Sequence, residues 1–282
     1  MQKNGNNRIG FTIQPFRGYR PSLILAGLKA LGVQFFELAE ECLYEIEQIK
    51  KHTRNLQTGF HLPIQEVNGW DFTQSEQVKK IDRMIEILNR HQRDLNLQYV
   101  VAHPPEADCV DRDRALAFLC QNLSRLNMPI FIENIATNTR DLHQRDLQRI
   151  RAALGNQVIR QCFDAAHYYI QGEDPVILWQ KNHTDVGLVH LSDCSKKHDE
   201  HWPFGVGGGE LPIDPLLAAL QQQRYTGYIA LEIMPRNSDQ LTAYIESYLK
   251  VVRSIAPEAY SKTRMRIRLL SPLLKAFFSR GW

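Results

Sequence analysis

The stretch Tyr99-Val-Val-Ala-His103, an apolar run closed by a histidine, has three counterparts of the same kind along this chain of 282 residues. Thr58-Gly-Phe-His61, Ile130-Phe-Ile-Glu133 and Gly187-Leu-Val-His190 also end on a side chain that can bind a metal. A buried strand is stabilised by Val, Ile and Phe, not by a terminal histidine or carboxylate. Ligands placed at the end of one strand after another predict a barrel whose strand ends converge on a metal centre.

Short apolar runs alternate with longer helical patterns along the whole chain. The predicted strands cover residues 8–13, 33–38, 57–61, 97–103, 129–133, 158–164, 186–191 and 228–233, and helices are predicted at 21–31, 75–89, 112–126 and 212–223. Strict alternation implies parallel strands with right-handed crossovers. We therefore predict an α/β fold: a single (β/α)8 TIM barrel over residues 8–256, followed by a basic, amphipathic C-terminal tail over residues 257–282.

Composition narrows the class of protein. The apolar fraction of 43% and the charged fraction of 23% are typical of soluble globular proteins. No apolar run approaches the ~20 residues that span a bilayer, and the polar start of the chain lacks the apolar core of a secretory signal. The five cysteines form no CxxC pair. We expect reduced thiols and a cytoplasmic location.

The formal charge of +3 is unevenly distributed. Residues 261–282 contain six basic and no acidic residues, which leaves 28 basic against 31 acidic residues in the rest of the chain. The body therefore offers no overall basic field for a nucleic-acid backbone, and nucleic acid is the less favoured partner.

Two further segments carry ligand-type side chains at predicted strand ends. Asp164-Ala-Ala-His167 places two of them three residues apart at a strand-to-helix turn, where they can face one point; a helix N-cap followed by a solvated histidine is the alternative. His190-Leu-Ser-Asp193 is followed by Asp199-Glu-His201 and closely spaced glycines, which let the backbone pass tightly around a site. The alternative here is a glycine-rich lid whose polar side chains are merely solvated. Glu232 repeats the strand-end carboxylate of Glu133.

On these motifs, the chain over residues 9–256 resembles the xylose isomerase-like TIM barrels, a superfamily that includes endonuclease IV (AP endonuclease family 2) and many sugar isomerases and epimerases. The nine metal-ligand positions of endonuclease IV are all filled by matching residue types: His61, His103, Glu133, Asp164, His167, His190, Asp199, His201 and Glu232. The resemblance implies that His61, His103 and Glu133 form one side of a multi-metal site, with carboxylates bridging to the remainder.

Two departures from endonuclease IV favour sugar chemistry. The first strand reads Ile9-Gly-Phe-Thr-Ile-Gln14 instead of the Gly-Ala-His segment, and Phe35-Phe-Glu37-Leu38 has the form found in the sugar isomerases and epimerases. The resemblance therefore assigns Glu37 and Asp193 to substrate binding. Arg17, in the loop after the first strand, is a candidate for holding a phosphate or carboxylate, and Trp70 for stacking on a sugar ring. Solvation of Arg17 and packing of Trp70 are the alternatives.

The two chemistries require different ligand sets. An isomerase or epimerase of a small sugar or sugar phosphate needs one divalent ion (Mn, Zn or Mg) at Glu133, Asp164, His190 and Glu232, with a metal-stabilised enediolate as intermediate. Glu133 and Glu232 then act as base and acid, and His167 hydrogen-bonds a substrate oxygen. A phosphoester hydrolase uses up to three ions, for which His61, His103, Asp199 and His201 are expected ligands. We favour the isomerase or epimerase; the hydrolase and a non-catalytic, metal-stabilised binding protein are the alternatives.

The tail has a pattern of its own. Residues 263–269 alternate basic and apolar side chains, which suits an extended arm, and Ser271-Pro272 suits the start of a helix. The leucines and phenylalanines that follow recur on one helix face, which must be buried somewhere. We expect this face to pack on the barrel or on a second subunit of a homo-oligomer, with contact to an anionic membrane surface as the less favoured alternative.

Overall fold

The computed structural model of the chain describes residues 8–15, 18–155, 157–234, 236–237 and 240–278; for residues 271 and 273–278 it describes the backbone alone. Its strands are β1 (Ile9–Ile13), β2 (Phe35–Leu38), β3 (Gln57–His61), β4 (Leu97–Ala102), β5 (Ile130–Glu133), β6 (Ile159–Asp164), β7 (Val186–Leu191) and β8 (Tyr228–Leu231). They close into a parallel barrel in which each strand pairs with the next and β8 pairs with β1. The predicted barrel is confirmed, and the strand ends differ from the prediction by at most two residues.

Helices follow the strands and cover the outside of the barrel. They are α1 (Pro21–Ala30), α2 (Ile46–Thr53), α3 (Gln65–Asn68), α4 (Val78–Leu95), α5 (Arg112–Leu123), α6 (Arg140–Leu154), α7 (Ala165–Ile170), α8 (Pro175–Asn182), α9 (Ile213–Gln222), α10 (Gln240–Ile255) and α11 (Pro257–Phe278). The helix predicted at 75–89 begins as a 3-10 turn, Ser75–Gln77, and continues to Leu95, where Asn96 takes a left-handed φ of 54° and ends it. No helix within the described residues is long and apolar enough to cross a bilayer.

A layer of aromatic side chains fills the interior of the barrel. Its buried members are Phe35, Tyr99, Val101, Phe131, Cys162, Leu188, Tyr228 and Ala230. The ring of Tyr99 lies at the centre, with centroids 4.5 Å from Phe131 and 5.0 Å from Tyr228. Gly59 of β3 makes room for it, because a Cβ there would stand only 2.2 Å from Cζ of Tyr99. The strands therefore enclose a packed core, and the ligand-type side chains lie beyond it at the carboxyl end.

The tail differs from the prediction. Residues 263–269 do not form an extended arm, and Ser271-Pro272 does not begin a helix; both lie within the continuous helix α11. Pro257 suits the first helical position, and the Arg, Lys, Met and Leu residues that follow are strong helix formers, which outweighs the local two-residue alternation. The helix is fixed to the body where Ile267 is buried and Arg266 Nε donates to the main-chain oxygen of Ala30 at 2.8 Å. The face predicted over 273–278 involves side chains outside the described part of the chain.

Candidate metal centre

The register of the barrel aims the ligand-type side chains at one point. Alternate residues of a strand face the same side, so a residue two positions beyond a member of the interior layer also faces inward. Glu37, His103, Glu133, Asp164, His190 and Glu232 each stand two positions beyond such a residue, and His61 stands two beyond Gly59. All of them lie at the carboxyl ends of the strands, where TIM barrels carry their active sites.

Glu133 is the centre of the cluster. Its Oε2 lies 3.0 Å from Nε2 of His61 and 3.1 Å from Nε2 of His103. Its Oε1 lies 3.3 Å from Nδ1 of His190 and 3.5 Å from Nδ1 of His167. The two oxygens of one buried carboxylate thus face two different sets of histidines, which is the position of a bridging ligand.

A four-residue set surrounds Nδ1 of His190. This nitrogen lies 3.1 Å from Oε2 of Glu232 and 3.9 Å from Oδ2 of Asp164, in addition to its contact with Glu133. The four ligand atoms lie within 4.8 Å of one another. Oδ2 of Asp164 is buried and has no hydrogen-bond partner among the described residues. A buried carboxylate oxygen left without a partner is costly, so this donor set fits a divalent cation.

The loop after β7 brings in a third group. Oδ2 of Asp199 lies 2.9 Å from Nε2 of His167 and 3.1 Å from Nε2 of His201. The other nitrogen of His201 contacts the main-chain oxygen of Glu232 at 2.9 Å, and His201 holds a left-handed φ of 52°. A non-glycine residue in this region is uncommon and is retained where the surroundings enforce it. The structure therefore brings all nine predicted ligand residues together at one end of the barrel.

Glu37 lies behind this cluster and contacts a ligand from the far side. Its Oε1 lies 2.9 Å from Nε2 of His190, so that Nδ1 of the same ring is the atom presented to the carboxylates. The Glu37 carboxylate also accepts hydrogen bonds from the Tyr99 hydroxyl at 2.9 Å and the Thr12 hydroxyl at 3.2 Å. Glu37, Tyr99 and His190 are completely buried. The contact is a close ion pair without hydrogen-bond geometry, and the charge of such a carboxylate favours one orientation of a ligating histidine. The predicted contact of Glu37 with substrate stays a prediction.

Protons on His61, His167, His190 and His201 balance the carboxylates, whereas burial lowers the pKa of His103. Burial opposes the charging of His61, yet its hydrogen bond to Glu133 and the nearby carboxylates raise its pKa to about 9. Burial likewise opposes charge on Glu232, but His190 and His201 hold its pKa at about 2. Burial also opposes charge on His190, but the neighbouring Cys162, Glu37 and Glu133 outweigh it and raise the pKa of His190 well above its usual value. A divalent cation would therefore exchange with protons on these ligands.

Asp164 behaves differently from the other carboxylates. Burial raises its pKa to about 6, His167 opposes the rise, and the charges of Asp199 and Glu133 add to it. The Asp164 carboxyl therefore keeps a proton at mildly acidic pH, where Glu232 is already ionised. The neighbouring histidines offset the burial of this charge only in part, so a bound cation would stabilise the ionised Asp164 carboxylate more than the other carboxylates.

Asp193 holds the loop that carries Asp199 and His201. Its Oδ1 accepts from the amides of Cys194 at 3.0 Å and Leu211 at 3.1 Å, and its Oδ2 accepts from the amide of Gly205 at 2.8 Å. A Cβ at Gly209 would stand 2.1 Å from the Asp193 carboxyl carbon, so glycine is required for this close approach. These contacts position the loop; contact of Asp193 with substrate stays a prediction.

Two further residues contribute to the centre and were not predicted from the sequence. Cys162 lies beside Glu133 and His190 with its ligand atom in the same cluster; its place two residues before Asp164 on one strand was the available signal. Asn134 exchanges two hydrogen bonds with the Asp164 main chain, at 2.8 and 2.9 Å, and its main-chain oxygen contacts Nδ1 of His167 at 2.7 Å. It follows Glu133 directly and links two ligands.

The remaining predicted substrate residues lie apart from this geometry. Trp70 is only 3% exposed, its ring stacks with Phe72 at 6.2 Å, and its Nε1 donates to Oε2 of Glu40 at 3.2 Å. The structure thus gives Trp70 packing contacts, and its stacking on a sugar stays a prediction. Arg17 lies outside the described residues.

Comparisons with known proteins agree with this architecture. A sequence family described as xylose isomerase-like TIM barrel matches residues 25–255. An AP endonuclease of family 2 from Brucella melitensis has a similar structure, with 16% identity, a TM-score of 0.65, and 85% of this chain and 98% of that chain covered. The 3-keto-D-glucoside 4-epimerase from E. coli has 17% identity and a TM-score of 0.63 over 86% and 98% of the two chains. An L-ribulose 3-epimerase has 17% identity and a TM-score of 0.60, with 93% of this chain and 97% of that chain covered. These likenesses show a shared fold. No curated protein sequence matches the chain.

Proposed function

The chain belongs to the xylose isomerase-like TIM barrel family, and we propose that it is a divalent-metal-dependent isomerase or epimerase of a small sugar or sugar phosphate. The observation that carries the proposal is the set of Glu133, Asp164, His190 and Glu232, whose ligand atoms lie within 4.8 Å of one another. Both of its glutamates lie close to Nδ1 of His190, at 3.3 Å for Glu133 and 3.1 Å for Glu232. The epimerases among proteins of similar structure add support.

Bound at these four residues, one ion of manganese, zinc or magnesium would polarise a substrate carbonyl and stabilise the enediolate. Glu133 and Glu232 supply the proton transfers. Both are ionised at neutral pH, because the neighbouring histidines outweigh burial and hold the pKa of Glu232 at about 2 and that of Glu133 well below its usual range. One carboxylate would accept the proton from the carbon next to the carbonyl and later release it to solvent. The other, also ionised in the free protein, would act as the acid only after it has taken up a proton from solvent, which it then gives to the enediolate.

His167 completes the proposed catalytic set by binding a substrate oxygen. Its Nδ1 is fixed at 2.7 Å from the main-chain oxygen of Asn134, so Nε2 is the atom left for substrate. That nitrogen now faces Asp199 at 2.9 Å, on the glycine-rich loop. Substrate would therefore replace a contact made by the loop, which couples binding to a shift of the Asp199 side chain.

A specific observation favours a second candidate, an endonuclease IV-like phosphoester hydrolase. His61 and His103 with Oε2 of Glu133, and His167 and His201 with Asp199, are surplus to a single-ion site. A two-metal hydrolase would use such groups to clamp the attacking and leaving oxygens. Elemental analysis of the purified protein separates the candidates: a single manganese or magnesium supports the sugar enzyme, and three equivalents of zinc support the hydrolase.

The experiment that tests the first proposal is exchange of a carbon-bound substrate proton with deuterated solvent. A panel of ketoses and sugar phosphates is incubated with the protein and manganese, and deuterium in the sugar is read by mass spectrometry. We expect exchange with the wild type and none with Glu133→Gln. Glu66→Gln, which alters an exposed carboxylate outside the cluster, is the matched control and should retain exchange. Exchange that survives Glu133→Gln, or metal retention with ligand binding but no turnover, would contradict the proposal.

The partners and location proposed for the protein follow from the same chemistry. A small sugar or sugar phosphate is the proposed ligand, and the free cysteines fit a reducing, cytoplasmic compartment. We propose that α11 mediates homo-oligomer contact, because Met265 and Leu269 on it are 62% and 70% exposed. Membrane-surface contact is the alternative, since the same helix is rich in arginine.

A further inference from the structure

A cavity of about 350 Å³ begins at the metal centre and continues away from it between helices. Its polar end is lined by Glu232 and His201, together with Thr12 and Gln14 after β1. The rest of the cavity follows the seam between α1 and α10 and reaches α11. The catalytic end of the proposed sugar site is thus continuous with a compartment of different character.

The walls of this seam are mostly apolar. Helix α1 contributes Ile24 and Leu28, and Leu31 directly follows its last residue. Helix α10 contributes Tyr244, Ile245 and Leu249, and α11 contributes Ile267. Residues 24 to 31 extend over about 10 Å along the α1 axis at 1.5 Å per residue. A sugar ring offers hydroxyls that need hydrogen-bond partners, and the aliphatic side chains that dominate this wall supply none. Its polar groups on α10 are the Tyr244 hydroxyl and the exposed side chains of Thr242 and Glu246. The seam suits hydrocarbon.

Two features shape the apolar part of the cavity. Arg264 and Arg268 border the cavity at α11 and are exposed, so their aliphatic stems extend its wall while their charged groups reach water. Gly27 lies within α1 and lines the cavity. Glycine inside a helix lowers stability relative to alanine, and at this position it keeps the groove open beside Leu28.

We propose that this seam binds the hydrocarbon part of an amphiphilic ligand whose sugar or sugar-phosphate head lies at Glu232 and His201. The ligand class is a glycoside or sugar phosphate that carries an alkyl or isoprenoid chain. One continuous cavity joins the polar end at Glu232 and His201 to an apolar end, which suits a ligand with a polar head and a hydrocarbon chain. The inference rests on the proposed function for the identity of the head group, and it narrows the substrate class of the same site.

The test is a comparison of octyl glucoside, below its micelle-forming concentration, with methyl glucoside by isothermal titration calorimetry. Each buried methylene adds favourable transfer free energy, so the octyl compound should bind at least about a hundredfold more tightly, the gain expected when three to four of its seven additional methylenes are buried. Its binding should also show a more negative heat-capacity change, the signature of apolar burial. Equal affinity of the two glucosides, or no binding of either, would overturn the proposal.

Variants locate the hydrocarbon chain. Gly27→Leu fills the seam from α1 and should abolish the preference for the octyl compound. Ala30→Leu adds bulk at an exposed α1 position outside the cavity lining and should leave the preference intact. Ile245→Trp fills the same seam from α10 and serves if Gly27→Leu does not fold. A preference that survives both seam variants would place the chain elsewhere and refute the assignment.

This binding test is independent of turnover. Chain-length preference without deuterium exchange in any sugar would support the groove and contradict the proposed function. Exchange with small ketoses and no chain-length preference would support the function and contradict the groove.

Discussion

Replacing Glu37 by glutamine tests whether a carboxylate behind the ligand cluster controls the metal centre. The carboxylate is completely buried and lies 2.9 Å from Nε2 of His190. Glutamine keeps the length of the side chain and one acceptor oxygen for the hydroxyls of Tyr99 and Thr12. It removes the negative charge, and its amide group presents donors to a ring nitrogen that now faces an acceptor. His190 would then lose the partner that fixes its ring with Nδ1 towards the three carboxylates.

The expected magnitude follows from the kind of contact that is lost. Removing the outer partner of a ligating histidine typically lowers metal affinity about 10–100-fold. That range corresponds to about 1.4–2.8 kcal/mol of binding free energy. Tyr99→Phe keeps the Glu37 charge and removes only one hydroxyl that donates to it, so its effect on metal affinity should be smaller than that of Glu37→Gln.

The assay is manganese binding by calorimetry on both variants, with thermal unfolding as the check that each remains folded. The account predicts a weakened but stoichiometric first site in Glu37→Gln. Unchanged affinity in folded Glu37→Gln, or an equal loss in Tyr99→Phe, would refute the view that Glu37 orients His190 through its charge.

Four further predictions concern protons, ligands and the tail. A bound ion needs a neutral imidazole, and the pKa of His190 is raised well above its usual value, so manganese affinity should rise with pH above neutrality and binding should release protons. Calorimetry in two buffers of different ionisation enthalpy measures this release. Binding heats that do not depend on the buffer would contradict the prediction. Without added ion, protonated His61 stabilises the fold, and this stabilisation is fully present below pH 6.5, the ordinary pKa, and is lost as the pH rises through the raised pKa of about 9. A thermal unfolding series should show it as a falling Tm over this range. A Tm that stays unchanged would count against the prediction. His103→Ala should lower metal stoichiometry by elemental analysis while leaving one ion bound, and unchanged stoichiometry would assign His103 to substrate instead. A chain ending at Pro257 should lose solubility or oligomeric mass in light scattering if α11 packs; loss of liposome pelleting at unchanged mass would instead support the membrane alternative.

The fold and the convergence of these side chains were predictable because they rest on strand periodicity. His61, His103, Glu133 and His190 each end an apolar run, and in a parallel barrel such ends meet at one face. The sequence thus indicated which side chains would converge. It did not indicate that the two oxygens of Glu133 would face different histidines, since that depends on the stagger of neighbouring strands.

Other features depend on long-range contacts that no local pattern reveals. The pairing of Glu37 with His190 joins β2 to β7 across the barrel interior, and Tyr99 of β4 donates to the other oxygen of the same carboxylate. The family resemblance suggested a substrate contact for Glu37, which stays a prediction, and it did not suggest the contact with His190. The use of Asp193 as acceptor for three loop amides likewise depends on the path of the glycine-rich loop. In the tail, the two-residue alternation over 263–269 predicts an extended arm, whereas the helix that begins at Pro257 continues through it.

The most direct test of the central claim is a comparison of two reactions on one preparation of the wild-type protein with manganese or zinc added. One is deuterium incorporation into a panel of ketoses and sugar phosphates, and the other is cleavage of duplex DNA at an abasic site. The account predicts metal-dependent deuterium incorporation at the carbon next to the sugar carbonyl and no DNA cleavage. Robust DNA cleavage without deuterium in any sugar would contradict it and assign the centre to phosphoester hydrolysis.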